Sequence, residues 1–252
     1  MTDDLLALRA ILLSATPADH DLFRHAASSA QVPIELVTAK QAAAACVAIA
    51  DGADLLFIDG ARPGSEIAEV TAAARAAARP PFVILLAAGG AAGKPETADA
   101  VAAKPARFDD AKRLIERSTR ARIPSRALVV DDSSSMRSMV RKVLGATRFP
   151  FEVTEASEGF AALKLVGETE FDVVFLDYNM PGFSGLETLI AFKRVVKQAM
   201  TVVMITSVQD DSLPGRVRAQ GAAFLKKPFF PADVEGVLTE YYGLTALNPA
   251  RT

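Results

Sequence analysis

Phe171-Asp-Val-Val-Phe-Leu-Asp-Tyr-Asn-Met-Pro-Gly-Phe-Ser-Gly185 is the stretch whose reading decides the fold. Val173 to Leu176 form an unbroken apolar run that ends in Asp177. A strand covered by helices on both faces reads this way, because neither face meets water and alternation is not selected. Pro181, Gly182 and Gly185 then turn the chain, and a helical pattern begins near Leu186. In open α/β sheets chemistry sits at the carboxyl ends of the strands, so Asp177 is the first residue to suspect.

Working outward, the same alternation runs through the whole chain. Strands are expected at Arg126 to Val130, Phe151 to Glu155, Val202 to Ile205 and Ala222 to Lys226. Helices are expected at Ser134 to Leu144, Phe160 to Gly167, Leu186 to Val196, Leu213 to Gln220 and Pro231 to Tyr241. The N-terminal half reads likewise, with strands at Leu8 to Leu13, Val32 to Val37, Asp54 to Asp59, Phe82 to Leu86 and Ala100 to Lys104. Its helices fall at Asp19 to Ala30, Gln41 to Ala50, Ser65 to Ala78 and Asp109 to Arg120, and the stretch Ala87 to Gly93 is too glycine-rich for a stable one. The expected fold is therefore α/β: two tandem (βα)5 flavodoxin-like, doubly wound units, residues 1–120 and 124–247. Each carries a parallel sheet of order 2-1-3-4-5.

The repeat is visible at single positions. Asp59-Gly-Ala-Arg-Pro-Gly64 parallels Asp177-Tyr-Asn-Met-Pro-Gly182, and Ala103-Lys-Pro105 parallels Lys226-Lys-Pro228. Arg113, Arg117, Arg120, Arg122 and Arg126 near the junction read as a solvated helix end and linker.

Composition bounds the rest. The chain has 252 residues, half of them hydrophobic, and a net charge of -2. That balance gives no reason to expect nucleic-acid binding or attraction to an acidic membrane. No apolar run approaches the roughly 18 residues of a membrane span. Asp3 and Asp4 stand where a signal peptide would be basic, so the expected location is the cytoplasm. Cys46 has no second cysteine to pair with and reads as a small core residue.

In the second half the strand ends carry a constellation. Asp131 and Asp132 follow Ala127 to Val130, Asp177 ends the third strand, Thr206 the fourth, and Lys227 follows the fifth. With the first and third strands adjacent, three carboxylates converge on one crevice beside a hydroxyl and an amine. Ionised carboxylates at that range raise one another's pKa, and a divalent cation relieves the repulsion. This half contains no His or Cys, so the ligands are hard oxygens, which favour Mg²⁺ over zinc. A carboxylate nucleophile, Mg²⁺, a lysine and a hydroxyl make an apparatus for phosphoryl transfer. Taken singly, each has a plainer reading: Asp132 or Ser133 as a helix cap, Thr206 as a loop cap, Lys227 as a surface lysine.

Together, Val129-Val-Asp-Asp-Ser-Ser-Ser-Met-Arg137, Phe175-Leu-Asp-Tyr-Asn-Met-Pro-Gly182, Val203-Met-Ile-Thr206 and Lys226-Lys-Pro-Phe229 resemble the receiver domain of bacterial two-component response regulators, the chemotaxis type most of all. The resemblance implies that Asp177 accepts phosphate from a histidine kinase or phosphotransfer protein. It implies that Asp131, Asp132, Asp177 and the carbonyl of Asn179 hold Mg²⁺, Asp131 chiefly through water. Lys227 would contact the phosphoryl group, with Lys227–Pro228 a cis bond. Thr206 and Phe224 would be the switch residues. Pro214 and Gly215 depart from the pattern, because they stand in the short fourth helix that usually signals.

The first half keeps Asp59 and Lys104-Pro105 but has Ser14-Ala15 where the paired acids would stand, and no hydroxyl in Phe82 to Ala87. Asp59 to Lys104 spans 45 residues against 50 for Asp177 to Lys227, so a fourth helix is expected to be missing. This half resembles a receiver without its metal site, with one carboxylate paired to a lysine. His20 and His25 read as surface residues, because phosphotransfer histidines sit on helical bundles. The expected function is a phosphorylation-controlled regulator. After Tyr242 only about ten residues remain, too few for an output domain, so output would come through protein contacts with a downstream target or by draining phosphate. The first half would serve interaction or homodimerisation. A non-signalling scaffold is one alternative. An aspartyl-phosphate phosphatase is another, but it would need an acid two residues after the nucleophile, where Asn179 stands.

Overall fold

The computed structural model describes residues 7–87, 98–195, 200–208 and 212–244. The chain divides into two compact units: residues 1–122 with the stretch from Thr239 onward, and Ile123–Leu238.

The first unit runs β1 (Leu8–Leu13), α1 (Pro17–Ser28), β2 (Ile34–Ala39), α2 (Ala42–Ala50), β3 (Leu55–Asp59), α3 (Gly64–Ala76), β4 (Phe82–Ala87), β5 (Ala100–Ala103) and α4 (Phe108–Arg120). Its strands are parallel in the order β2-β1-β3-β4-β5. The expected loss of a fourth helix falls on residues 88–97, outside the described residues.

The second unit repeats the plan with β6 (Ser125–Val130), α5 (Ser134–Gly145), β7 (Phe151–Ala156), α6 (Gly159–Glu168), β8 (Val173–Asp177), α7 (Gly185–Val195), β9 (Thr201–Thr206), α8 (Leu213–Ala219), β10 (Ala223–Lys226) and α9 (Pro231–Tyr241). The order across its sheet is β7-β6-β8-β9-β10, again all parallel. Both sheets are thus flavodoxin-like, with the switch point between the first and third strands of each unit.

Burial follows position in the sheet. β3 and β8 lie in the middle and are buried at every residue. At the edge, β7 alternates, with Glu152 and Thr154 toward water. Phe175 of β8 and Phe192 of α7 are fully buried, each contributing about 2 kcal/mol by removal from water. In α2, Ala42, Ala45, Ala48 and Ile49 pack into the unit's own core, and Val47 faces solvent. α4 has Asp109 and Asp110 in its first turn and Arg117 and Arg120 in its last, the arrangement the helix dipole favours. Arg113 pairs with Asp110 at 2.6 Å.

Two features hold the turn after β8. Gly182 has φ 76°, which a side chain would strain, so the Pro181-Gly182 turn needs glycine there. At Gly185, the first residue of α7, an added Cβ would run into the Asp177 carbonyl oxygen and lie 2.9 Å from the Tyr178 Cα. Backbone on both sides leaves no side chain to move away. We expect Gly185→Ala to cost on the order of 3 kcal/mol, the upper range for overpacking. Urea denaturation checks this, and an unchanged midpoint would show that α7 can move off β8.

Candidate functional site

Strand register builds the site. Val130 of β6 lies opposite Leu176 of β8, so Asp131 and Asp177 follow at the same height on neighbouring strands. Parallel strands run about 4.8 Å apart, which leaves two carboxylates there no room to diverge. Carboxylate oxygens of Asp131, Asp132 and Asp177 all lie within 4.8 Å of one another. Asp131 and Asp177 are buried and Asp132 is exposed.

The fourth and fifth strands add the rest. Asp177 is opposite Ile205 of β9, and Thr206 is opposite Lys226 of β10. The Lys227 N–H donates to the Thr206 carbonyl at 2.8 Å. Its ammonium donates to Asp177 Oδ1 at 2.6 Å and to Asp131 Oδ2 at 3.3 Å. The Asn179 N–H donates to Asp177 Oδ2 at 2.9 Å, and the Ser133 N–H to Asp131 Oδ1 at 2.9 Å. The buried Thr206 hydroxyl accepts the Val208 N–H at 3.0 Å. Ser133 is the N-cap of α5, its hydroxyl accepting the Met136 N–H. Lys227–Pro228 is cis. Phe224 is partly buried on β10 and packs against the core that contains Met204, Leu213 and Val217. α8 forms despite Pro214, which stands in its first turn, where no intrahelical N–H is lost.

The charges do not balance. Burial pushes the Asp177 carboxyl above its ordinary range, the Asp131 charge pushes it further, and Lys227 and the Asn179 N–H only partly oppose this. Three carboxylates face one ammonium, which leaves a charge that a divalent cation neutralises. All the side-chain donors are hard oxygens, and two of the three acids are already desolvated. The residues fit Mg²⁺.

The sequence reading missed one support. Arg137, in the second turn of α5, donates from Nη1 to the Asp131 carbonyl at 2.7 Å and from Nε to Glu155 of β7 at 3.0 Å. Its place six residues after Asp131 was the available signal.

The first unit repeats the backbone of this site with other side chains. Leu13 lies opposite Ile58, so Ser14 stands beside Asp59 where Asp131 stands beside Asp177. Leu86 lies opposite Asp59, so Ala87 replaces Thr206. The Ala61 N–H donates to Asp59 Oδ1 at 3.1 Å, as Asn179 does to Asp177.

Two expectations need correction. Lys104 pairs with two carboxylates, not one: Asp59 at 2.9 Å and Asp19, from the first turn of α1, at 2.7 Å. Ser14 Oγ bonds Asp19 at 2.5 Å. His20 is buried, with Nε2 2.8 Å from the Ser14 carbonyl, whereas His25 is exposed and stacks on Phe108. Asp19 and His20 lie on the side of the first turn of α1 that meets the strand ends, whereas Pro17 and Ala18 are exposed. Here the balance runs the other way. Burial would raise the Asp59 carboxyl, but Lys104, the Ala61 N–H and Ser14 together hold it below its ordinary range.

Residues 127–239 match the response regulator receiver domain family. In Escherichia coli K12, the nitrate/nitrite response regulator protein NarP is 32% identical over 108 residues, covering 43% of this chain and 50% of that protein. The response regulator UvrY of the same organism is 33% identical over 118 residues, covering 46% and 53%. The chain spans about half the length of these curated relatives. The solved structure of a probable two-component system response regulator/GGDEF domain protein matches over 94% of this chain and 98% of its own, with TM-score 0.54 and 20% identity. That likeness shows the tandem fold alone.

Lys104→Met should cost on the order of 3 kcal/mol, as when a buried pair loses one partner. The lowered Asp59 value sets the sign with pH. Its contribution is present above the ordinary carboxylate range and is lost as pH falls through the folded value. The gap between wild type and variant should therefore be narrower at about pH 3 than at about pH 7 in chemical denaturation. An equal gap would contradict the pairing.

Proposed function

We propose that this chain is a two-component response regulator whose Asp177 takes a phosphoryl group from a histidine kinase or phosphotransfer protein, with Mg²⁺ as cofactor. One observation carries the reading. Asp177 is buried at the end of β8, bonded to Lys227, with oxygens of Asp131 and Asp132 within 4.8 Å.

An Asp177 oxygen attacks the phosphorus of a phosphohistidine. The O–P bond forms, the P–N bond breaks, and the electron pair passes to the imidazole, which takes up a proton. Burial strips water from the carboxylate before attack. Lys227 shifts a hydrogen bond from Asp177 to a phosphoryl oxygen, and Thr206 has its own O–H to donate to another. Asp131, Asp132, Asp177 and the Asn179 carbonyl would hold the cation, which when bound offsets the charge on the phosphoryl oxygens.

The new charge draws Thr206 toward it and biases Phe224, which shares its core with α8. The surface of α8, β10 and α9 then differs between the two states, and a downstream protein reads that difference. Asn179 stands where an acid for turnover would be needed, so the chemistry is confined to the protein's own phosphorylation and dephosphorylation. The first unit is not phosphorylated, because Ser14 and Ala87 replace the groups that would hold a cation and sense phosphate. It serves as an interaction or dimerisation surface.

Incubation with acetyl phosphate, and with a panel of purified histidine kinases, tests this by mass spectrometry. Phosphate is expected on Asp177 only, and it should disappear with chelator and in Asp177→Asn. Label that survives either treatment would sink the phosphoacceptor reading. Phosphate on Asp59 would sink the reading of the first unit.

A further inference from the structure

The loop that carries Asp131 and Asp132 is held by more than its own ends. It begins at a β6 residue fixed in the sheet and ends at Ser133, the cap of α5. Between them, the Asp131 N–H donates to the Ala156 carbonyl at 3.2 Å. The Asp131 carbonyl then accepts the Arg137 guanidinium at 2.7 Å, with the Asp132 carbonyl at 3.4 Å from the same nitrogen. Nε of that guanidinium donates to Glu155 Oε2 at 3.0 Å, and the other Glu155 oxygen lies 3.5 Å from Arg141. Glu155 sits on β7 opposite Val129, two residues before Asp131.

The Arg137 side chain is 16% exposed, and its planar fork spans helix, loop and edge strand. We propose that Arg137, locked by Glu155, is a positioning residue that fixes the main chain of Asp131 and Asp132 so that both carboxylates point into the cation site.

Two effects of Arg137 oppose each other, and their signs separate them. As a positive charge beside a cation site, Arg137 weakens binding by Coulomb repulsion, so removing it should tighten binding. As a clamp on the ligand loop it strengthens binding, so removing it should weaken it. Groups that orient metal ligands from outside typically change affinity about tenfold or more, which exceeds the Coulomb effect of a charge already paired with Glu155. Lys at this position keeps the charge but cannot hold carbonyl and carboxylate with one rigid fork.

This inference rests on the cation-site reading, and the test separates the two. Full-length wild type, Asp177→Asn, Arg137→Lys, Arg137→Gln and Glu155→Gln are titrated with Mn²⁺, and free Mn²⁺ is read by electron paramagnetic resonance. Thermal melting without metal runs in parallel. Wild type should bind one Mn²⁺ that Asp177→Asn loses; if it does not, the cation-site reading itself fails. With that established, Arg137→Lys and Arg137→Gln should both weaken Mn²⁺ binding about tenfold, and Glu155→Gln less, because the carbonyl bond remains. Unchanged affinity in Arg137→Lys, or tighter binding in Arg137→Gln, would overturn the proposal. So would weakening that merely tracks a collapse of the metal-free melting temperature.

Discussion

Two carboxylates at one height on adjacent parallel strands repel each other, and the backbone cannot relieve it. The pairing of Val130 with Leu176 sets that height for Asp131 and Asp177. Burial removes the water that would screen them, and Lys227 supplies one positive charge to both. The Asp177 carboxyl is consequently held above its ordinary range. The first unit has the same strand spacing and the same lysine position, but a hydroxyl where the second acid would stand. There the corresponding carboxyl is held low. Ser14 and Ala15, where the second unit has Asp131 and Asp132, thus separate a site whose acids fit a cation from one whose two carboxylates both pair with Lys104.

The rest of the second unit serves that arrangement. The site draws on the ends of β6, β8, β9 and β10, and it is assembled only when the whole sheet is in register. Gly185 lets α7 start against the Asp177 carbonyl, which brings the helix over β8 and seals the apolar side. Gly182, at φ 76°, lets the chain turn between β8 and α7. In the first unit Asp19 comes from α1 rather than from a strand end, and Lys104 pairs with it as well as with Asp59.

Where the chemistry follows strand position, the sequence was readable. Apolar runs such as Val173 to Leu176 mark central strands, because only a strand covered on both faces has no reason to alternate. The residue after each run then falls at the carboxyl edge, which located Asp131, Asp177, Thr206 and Lys227 without any side-chain geometry. Asp19, His20 and Arg137 escaped that logic. They sit on helices, and whether such a side chain reaches the strand ends depends on where the helix begins and which way its first turns face. An offset of about two residues at a helix start rotates a position by about half a turn. α1 was expected to begin at Asp19 and begins at Pro17, and His20 was read as a surface residue without being placed on a face of that helix.

The central claim is that the two units differ in their need for a cation. Hydrogen–deuterium exchange of the full chain with and without Mg²⁺, resolved by peptide, tests it most directly. Slower exchange is expected in peptides covering residues 129–137 and 175–185, with no change in peptides covering residues 11–20 and 57–66. Equal protection of both sets, or protection of neither, would contradict the account.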